Sequence, residues 1–224
     1  MKNLSGMELV AGAQVDGVDI SAHDAEVTTK HLPTQAAAAG KLLTSNGSVA
    51  SWLAPRESIY LSAGGAIPSI VACSAPASFQ VGATNKVSMY GLGFATSPDQ
   101  FADWSFPMPN NWDGGTVTAQ FYWTAAAGTV SGTTIFKLAA RVFPDSDSLD
   151  QAMGTAVGAT DTILALDDLH KSPETTAITV AGTAPAGGDW IVFRVQRDTG
   201  NDTFAGVAQL LGVKVFYGTD SMTE

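Results

Sequence analysis

Charge is scarce in this chain. Only 14% of its 224 residues are Asp, Glu, Lys or Arg, about half the share usual in soluble domains. Basic residues are the scarcer sign: 11 Lys and Arg stand against 21 Asp and Glu, giving a formal net charge of −10, and they form no run. A surface that tracks phosphates has no electrostatic basis here, so nucleic acid is not an expected partner. Cysteine occurs once, at Cys73. It can make no intramolecular disulfide, and in its apolar stretch it reads as a small buried hydrophobe. No apolar run reaches the length of a membrane span, and Met1 to Val15 lacks the basic flank and apolar centre of a secretion signal. Membrane insertion and a signal peptide are therefore not expected, and the product should fold in a cytoplasm.

Recognisable catalytic spacing is missing too. The chain has no Gly-x-Ser-x-Gly, no His-Glu-x-x-His, no Cys-x-x-Cys and no phosphate-binding Gly-Lys-Ser/Thr loop, the patterns that place a nucleophile, a zinc ion or a nucleotide. Gly91-Leu92-Gly93 meets Thr96 where a dinucleotide loop has its third glycine. Asp145, Asp147 and Asp150, and Asp198 with Asp202, sit among turn residues and read as carboxylates that satisfy their own backbone rather than as calcium ligands. The expectation is a protein that is not an enzyme, with no catalytic residue, no metal site and no cofactor.

Strand formers are plentiful. Glu occurs five times and Arg four, while Thr, Val and Gly recur throughout, a balance that favours strands and turns over amphipathic helices. In Val117 to Trp123, Val117, Ala119, Phe121 and Trp123 alternate with Thr118, Gln120 and Tyr122, one face for a core and one for solvent. Ile135 to Phe143 repeats the pattern, with Phe136, Leu138, Ala140 and Val142 opposing Lys137 and Arg141, so a one-residue slip would bury two charges. Trp190 to Arg197 turns Ile191, Phe193 and Val195 inward. Leu211, Val213, Val215 and Tyr217 should form the inner face of a last strand. Asp198-Thr199-Gly200-Asn201-Asp202 between these two reads as a hairpin-like connection. Weaker strands at Lys86 to Phe94, Asp161 to Leu166 and Thr175 to Val180 bring the set to about eight, the number of a jelly roll.

The first 55 residues differ. They hold Ala36 to Ala39 and the polar Ser45-Asn46-Gly47-Ser48, with little periodicity. Such a segment buries little by itself; it reads either as a linker or as a segment that gains order by wrapping around copies of itself or docking on an assembly. The expected division is an anchor at 1–30, a neck at 31–55, a connecting β segment at 56–85 and a head at 86–224.

Aromatic residues carry the binding candidates, since an aromatic face at a loop is a common platform for a sugar ring. Trp112, flanked by Asn110, Asn111 and Asp113, is expected to be exposed. Tyr122 lies on the polar face of its strand. The candidate ligand set is therefore Asn110, Trp112, Asp113 and Tyr122. His170 reads as a surface histidine in a loop, and Trp123 as core.

Two segments resemble a known family. Val15-Asp16-Gly17-Val18-Asp19-Ile20-Ser21-Ala22-His23 is similar to the Val-Asp-Gly-Val-Asp-(Val/Ile)-Ser segment of phage tail fibres and tailspikes. Leu32-Pro33-Thr34-Gln35, followed by Ala39-Gly40-Lys41-Leu42-Leu43-Thr44-Ser45-Asn46-Gly47-Ser48-Val49-Ala50-Ser51-Trp52, resembles the neck repeat of such fibres. The head resembles, less specifically, the β-sandwich that ends many small phage proteins. The resemblance implies a homotrimer, with Leu42, Leu43 and Trp52 in the intertwined neck. It also implies an N-terminus docked on other phage structural proteins and a head that meets a host-surface receptor or glycan.

The expectation is thus an all-β protein of the virion: a jelly-roll-like antiparallel β-sandwich with an extended, intertwined N-terminal anchor and neck, homotrimeric. It would serve as a tail fibre or spike. A capsid head fibre or decoration protein is the first alternative, because the neck has one repeat where longer fibres have several. A polysaccharide depolymerase is the second.

Overall fold

The computed structural model describes residues 14–15, 18–19, 41–45, 50–53, 55–69, 73, 75–82 and 84–220. The chain divides into two units, Met1–Pro55 and Arg56–Glu224.

In the first unit, β1 (Gln14–Val15) pairs antiparallel with β2 (Val18–Asp19), and β3 (Leu42–Ser45) with β4 (Ala50–Leu53). The second hairpin sets Leu43 opposite Trp52 and Leu42 opposite Leu53. Leu42, Leu43 and Leu53 are all exposed. A two-stranded hairpin has no second layer in which to bury such groups and is marginal by itself in water. The rest of the expected anchor and neck lies outside the described residues.

The second unit is a β-sandwich of two sheets. Its strands are β5 (Arg56–Ser62), β6 (Ile67–Pro68), β7 (Ala77–Val81), β8 (Val87–Phe94), β9 (Phe101–Pro107) and β10 (Trp112–Thr124). They continue with β11 (Thr133–Phe143), β12 (Val157–Thr162), β13 (His170–Lys171), β14 (Val180–Ala181), β15 (Trp190–Arg197) and β16 (Ala208–Thr219). One sheet runs β13-β10-β16-β8-β7, with β5 also on β16; the other runs β12-β11-β15-β9-β6, with β14 also on β11. Every pairing is antiparallel except the two-residue contact of β14 with β11. Strands β8 to β11 alternate between the two sheets, as the jelly-roll expectation requires.

The alternation read from sequence places the core correctly. Val117, Ala119, Phe121 and Trp123 are buried from one sheet, and Phe136, Leu138, Ala140, Val142, Ile191, Phe193 and Val195 from the other. Phe136 ties the layers together. Its ring centroid lies 5.5 Å from that of Phe94, 5.7 Å from Phe121 and 6.5 Å from Trp123, the separations of favourable edge and tilted pairs.

Four expectations are corrected. The segment 56–85 is not a connection ahead of the head: β5 and β7 lie in one sheet and β6 in the other, so the sandwich takes in this segment from Arg56. β15 and β16 do not form a hairpin, because they belong to opposite sheets and residues 198–207 cross between them. The turn chemistry was right locally, as Asn201 and Asp202 both donate to the Asp198 carbonyl, but a turn does not reveal which sheet the next strand joins. The expected strand at 161–166 is displaced to Val157–Thr162, and that at 175–180 shrinks to a single Val117–Ile178 bridge ahead of β14. Finally, β9 was not expected as a strand.

The crossing at 198–207 is held by a buried ion pair. Arg197 and Asp202 expose 0% and 4% of their side chains. The Arg197 guanidinium pairs with both Asp202 oxygens and also donates to the carbonyls of Phe94, Gly206 and Phe204 at 2.9, 2.6 and 2.6 Å. A charge this deep is tolerated because its donors are so fully used.

Candidate functional site

The edge of β16 opposite β10 is shared by two strands. β5 covers Gly212 to Gly218 and β8 covers Ala208 to Leu210. Between them β16 shifts register: Tyr122 faces Gly212, but the next residue, Trp123, faces Leu210. This bulge displaces Leu211 from the inner face expected for it, and Leu210 takes the core position. Extra residues of this kind bend a strand and re-aim its side chains. A groove of about 460 Å³ opens at this junction, lined by Tyr60 and Ser62 of β5, Met89 and Tyr90 of β8, Tyr122 of β10, Leu169 ahead of β13, and Leu211.

Three tyrosines dominate the groove. Tyr60 and Tyr90 expose 56% and 58% of their surface, and the Tyr60 and Tyr122 rings meet edge to face with centroids 6.3 Å apart. Two of the rings are braced. The Tyr60 hydroxyl donates to the Leu211 carbonyl at 3.2 Å. The Tyr122 hydroxyl donates to Gln120 Oε1 at 3.3 Å, and Gln120 in turn donates from Nε2 to the Ser172 carbonyl at 2.9 Å. Tyr60 can lie down because residue 212 is glycine: a Cβ there would collide with its hydroxyl oxygen. Partial burial, and secondarily the neighbouring Tyr122, raise the Tyr60 phenol above its ordinary range, so it stays protonated near neutrality.

Among the described residues no Asp, Glu, Lys, Arg or His lines this groove. Of the nearby cations, Arg56 lies 4.2 Å from the Phe216 ring centroid and pairs with Glu174, Lys214, the cross-strand partner of Tyr60, lies 5.0 Å from the same ring, and the exposed Lys171 stands opposite Tyr122 across the β10–β13 pair. The groove therefore offers aromatic faces with a few hydroxyls, suited to a flat ligand with both apolar and hydrogen-bonding edges. Among the described residues no group of three or more His, Cys, Asp or Glu side chains is placed to hold a metal ion.

Of the four ligand candidates read from sequence, only Tyr122 is in the groove. Trp112 is 1% exposed and belongs to the core, because its apolar neighbours across the sandwich claim it despite its polar flanks. Asn110 and Asp113 are exposed, but Asp113 accepts from the Gly115 amide at 2.8 Å, capping its own turn. They stand near the far end of β10, twelve and nine residues from Tyr122 and so at least roughly 30 Å along the strand, and form no common site with it. His170 is not a surface residue: it is buried and stacks on Trp123 with centroids 4.4 Å apart. Cys73 is buried, as expected, and burial raises its thiol pKa.

Tyr60 and Tyr90 were missed. A signal for Tyr60 was present, since Ser58, Tyr60 and Ser62 alternate with Ile59 and Leu61, which marks a tyrosine on the polar face of a strand.

No protein-family model matches the chain, and no curated protein does. Among solved structures it is similar to the CBM22-1 xylan-binding domain of Paenibacillus barcinonensis Xyn10C, at 11% identity over 72% of this chain and 93% of that one, with a TM-score of 0.39. It is also similar to the family 11 carbohydrate-binding module of Clostridium thermocellum, at 8% identity over 83% and 98%, TM-score 0.36. A third is the mannan-recognising module TmCBM27, at 7% identity over 73% and 99%, TM-score 0.35. All three scores lie below 0.5, and these likenesses carry no argument about function.

Proposed function

We propose that this chain is a non-enzymatic fibre or spike protein of a bacteriophage particle, a homotrimer whose β-sandwich holds host-surface glycan in the groove of Tyr60, Tyr90 and Tyr122. The observation that carries the reading is the groove itself: three tyrosine rings, two of them fixed by hydrogen bonds, around a space without a charged side chain. Aromatic rings with polar rims suit sugars, which present apolar C–H faces and hydroxyl edges.

Supporting the assembly are the two fibre-like segments at 15–23 and 32–52, and Leu42, Leu43 and Leu53, exposed among the described residues of the β3–β4 hairpin. Threefold association would cover those groups. Three heads on one stalk, and many stalks on one particle, turn weak single contacts into durable attachment. The N-terminus then seats on other phage structural proteins, and the protein resides in the virion. The shortness of the neck favours a second reading, a head fibre or decoration protein mounted on the capsid; immunogold labelling of particles separates the two.

The test is direct. The full chain should run at three times its 23.1 kDa mass in native mass spectrometry and should bind host cells. Tyr60→Ala should abolish the binding and leave the trimer intact. A monomer at all concentrations, or adhesion indifferent to the tyrosines, would overturn the reading.

A further inference from the structure

A second cavity, of about 330 Å³, opens among the backbones of residues 126–128 and 205–207 and the side chain of Gln209. It lies on the same sheet face as the tyrosine groove. Gln209 stands opposite Gly93 on β8, and Met89 stands opposite Phe79 on β7. Partners across an antiparallel pair share a face, and so do alternate residues along a strand. Phe79, Met89, Gly91 and Gln209 therefore line one strip, which joins the cavity at Met89 to the cavity at Gln209.

The middle of the strip is Gly91. A Cβ there would meet the Phe79 ring at 2.7 Å and Gln209 Oε1 at 3.2 Å, so the ring and the amide lie down over a bare backbone and form the floor between the two openings. Gln209 lies two residues from Leu211 along β16, about 7 Å by strand geometry. Gln209 is partly exposed, and its amide carries both a donor and an acceptor. Among the described residues neither cavity is lined by a charged side chain, although the chain as a whole carries −10.

Building on the proposed glycan groove, we infer that the site is a trough with two subsites, which holds the interior of a linear, uncharged polysaccharide: one ring among the tyrosines, and a unit further along the chain hydrogen-bonded to Gln209. An end-capping pocket for a single terminal sugar would leave the second cavity and Gln209 without a role. An acidic polysaccharide would find only Lys171 and Lys214, beside Tyr122 and Tyr60, and would be repelled by the net charge of the protein.

Calorimetric titration of the full chain with cello-, xylo- and manno-oligosaccharides of one to six units tests this, with oligogalacturonides as the acidic control. In a neutral ladder that binds, affinity should rise at least tenfold from two units to four or five and then level off. Gln209→Ala should weaken the hexamer about tenfold and leave the dimer unchanged, with an unaltered circular dichroism melt. Affinity indifferent to length, equal loss for dimer and hexamer, or tighter binding of the acidic ladder would overturn the two-subsite inference while leaving a Tyr60-dependent groove in place. If no neutral ladder binds, or if binding ignores Tyr60→Ala, the glycan reading fails and this inference fails with it.

Discussion

Tyr60 lies across Gly212, its hydroxyl bonded to the Leu211 carbonyl 3.2 Å away, in space that any side chain at 212 would occupy. The glycine thus sets the orientation of a ring on a different strand. Gly212→Ala should push Tyr60 off the sheet, since the new methyl would also stand 2.7 Å from the Leu61 carbonyl oxygen. Overpacking of this kind costs about 1–3 kcal/mol. Urea denaturation should register that loss, and glycan titration should register weakened binding. Tyr60→Phe removes the hydrogen bond but keeps the ring, so it should cost about 1 kcal/mol and retain most binding.

The Arg197–Asp202 pair gives a second expectation. Asp202→Asn leaves a buried guanidinium without its counter-charge, and breaking a buried pair in this way costs about 3–5 kcal/mol. The double variant Arg197→Met, Asp202→Leu removes both charges and should recover part of that loss. Urea midpoints of the single and double variants check it; a single variant as stable as the parent would mean that the crossing is held by something else.

Acid sensitivity arises at Asp198. Its carboxylate lies 2.5 Å from the Lys137 ammonium and accepts from Asn201 at 3.0 Å, and the lysine, chiefly, holds its pKa below the ordinary carboxylate value. A group whose pKa is lower folded than unfolded stabilises the fold above its unfolded pKa, about 3.9 for Asp. That contribution is lost as pH falls from there through the folded value. Stability should therefore be flat in this respect above pH 5 and should decline below about pH 4. Asp198→Asn should lose less stability than the parent between pH 5 and pH 3, as measured by urea midpoints at the two values. An identical decline in both proteins would remove Asp198 from the account.

Much of the sandwich was legible because alternation is a strong signal where one face is core and the other polar. β10, β11 and β15 show it cleanly. β9 did not, because Phe101 sits on its outer face, covered by the Arg194 guanidinium 4.1 Å from the ring centroid, while the small Ala102 faces the core; apolar residues on both faces blur the period. The last strand was read one residue out at Leu211 because the bulge lies in the partner's register and not in the local pattern. Trp112 misled for a related reason, since polar neighbours in sequence say nothing of what packs from across the sandwich. The groove was legible only at Tyr122. It is assembled from β5, β8, β10 and β16, up to 151 residues apart in the Tyr60–Leu211 contact, and no local pattern announces which strands will share an edge.

Of the chain's four tyrosines, Tyr60, Tyr90 and Tyr122 line the groove, while Tyr217 is buried and donates to Glu57 at 2.8 Å. Tyrosine-ring NMR of the full chain, labelled at its aromatic carbons and titrated with a neutral oligosaccharide that it binds, therefore reads the site without a mutation. Three ring signals should move and saturate together while the Tyr217 signal stays in place. Saturating binding that leaves Tyr60, Tyr90 and Tyr122 unmoved would contradict the account.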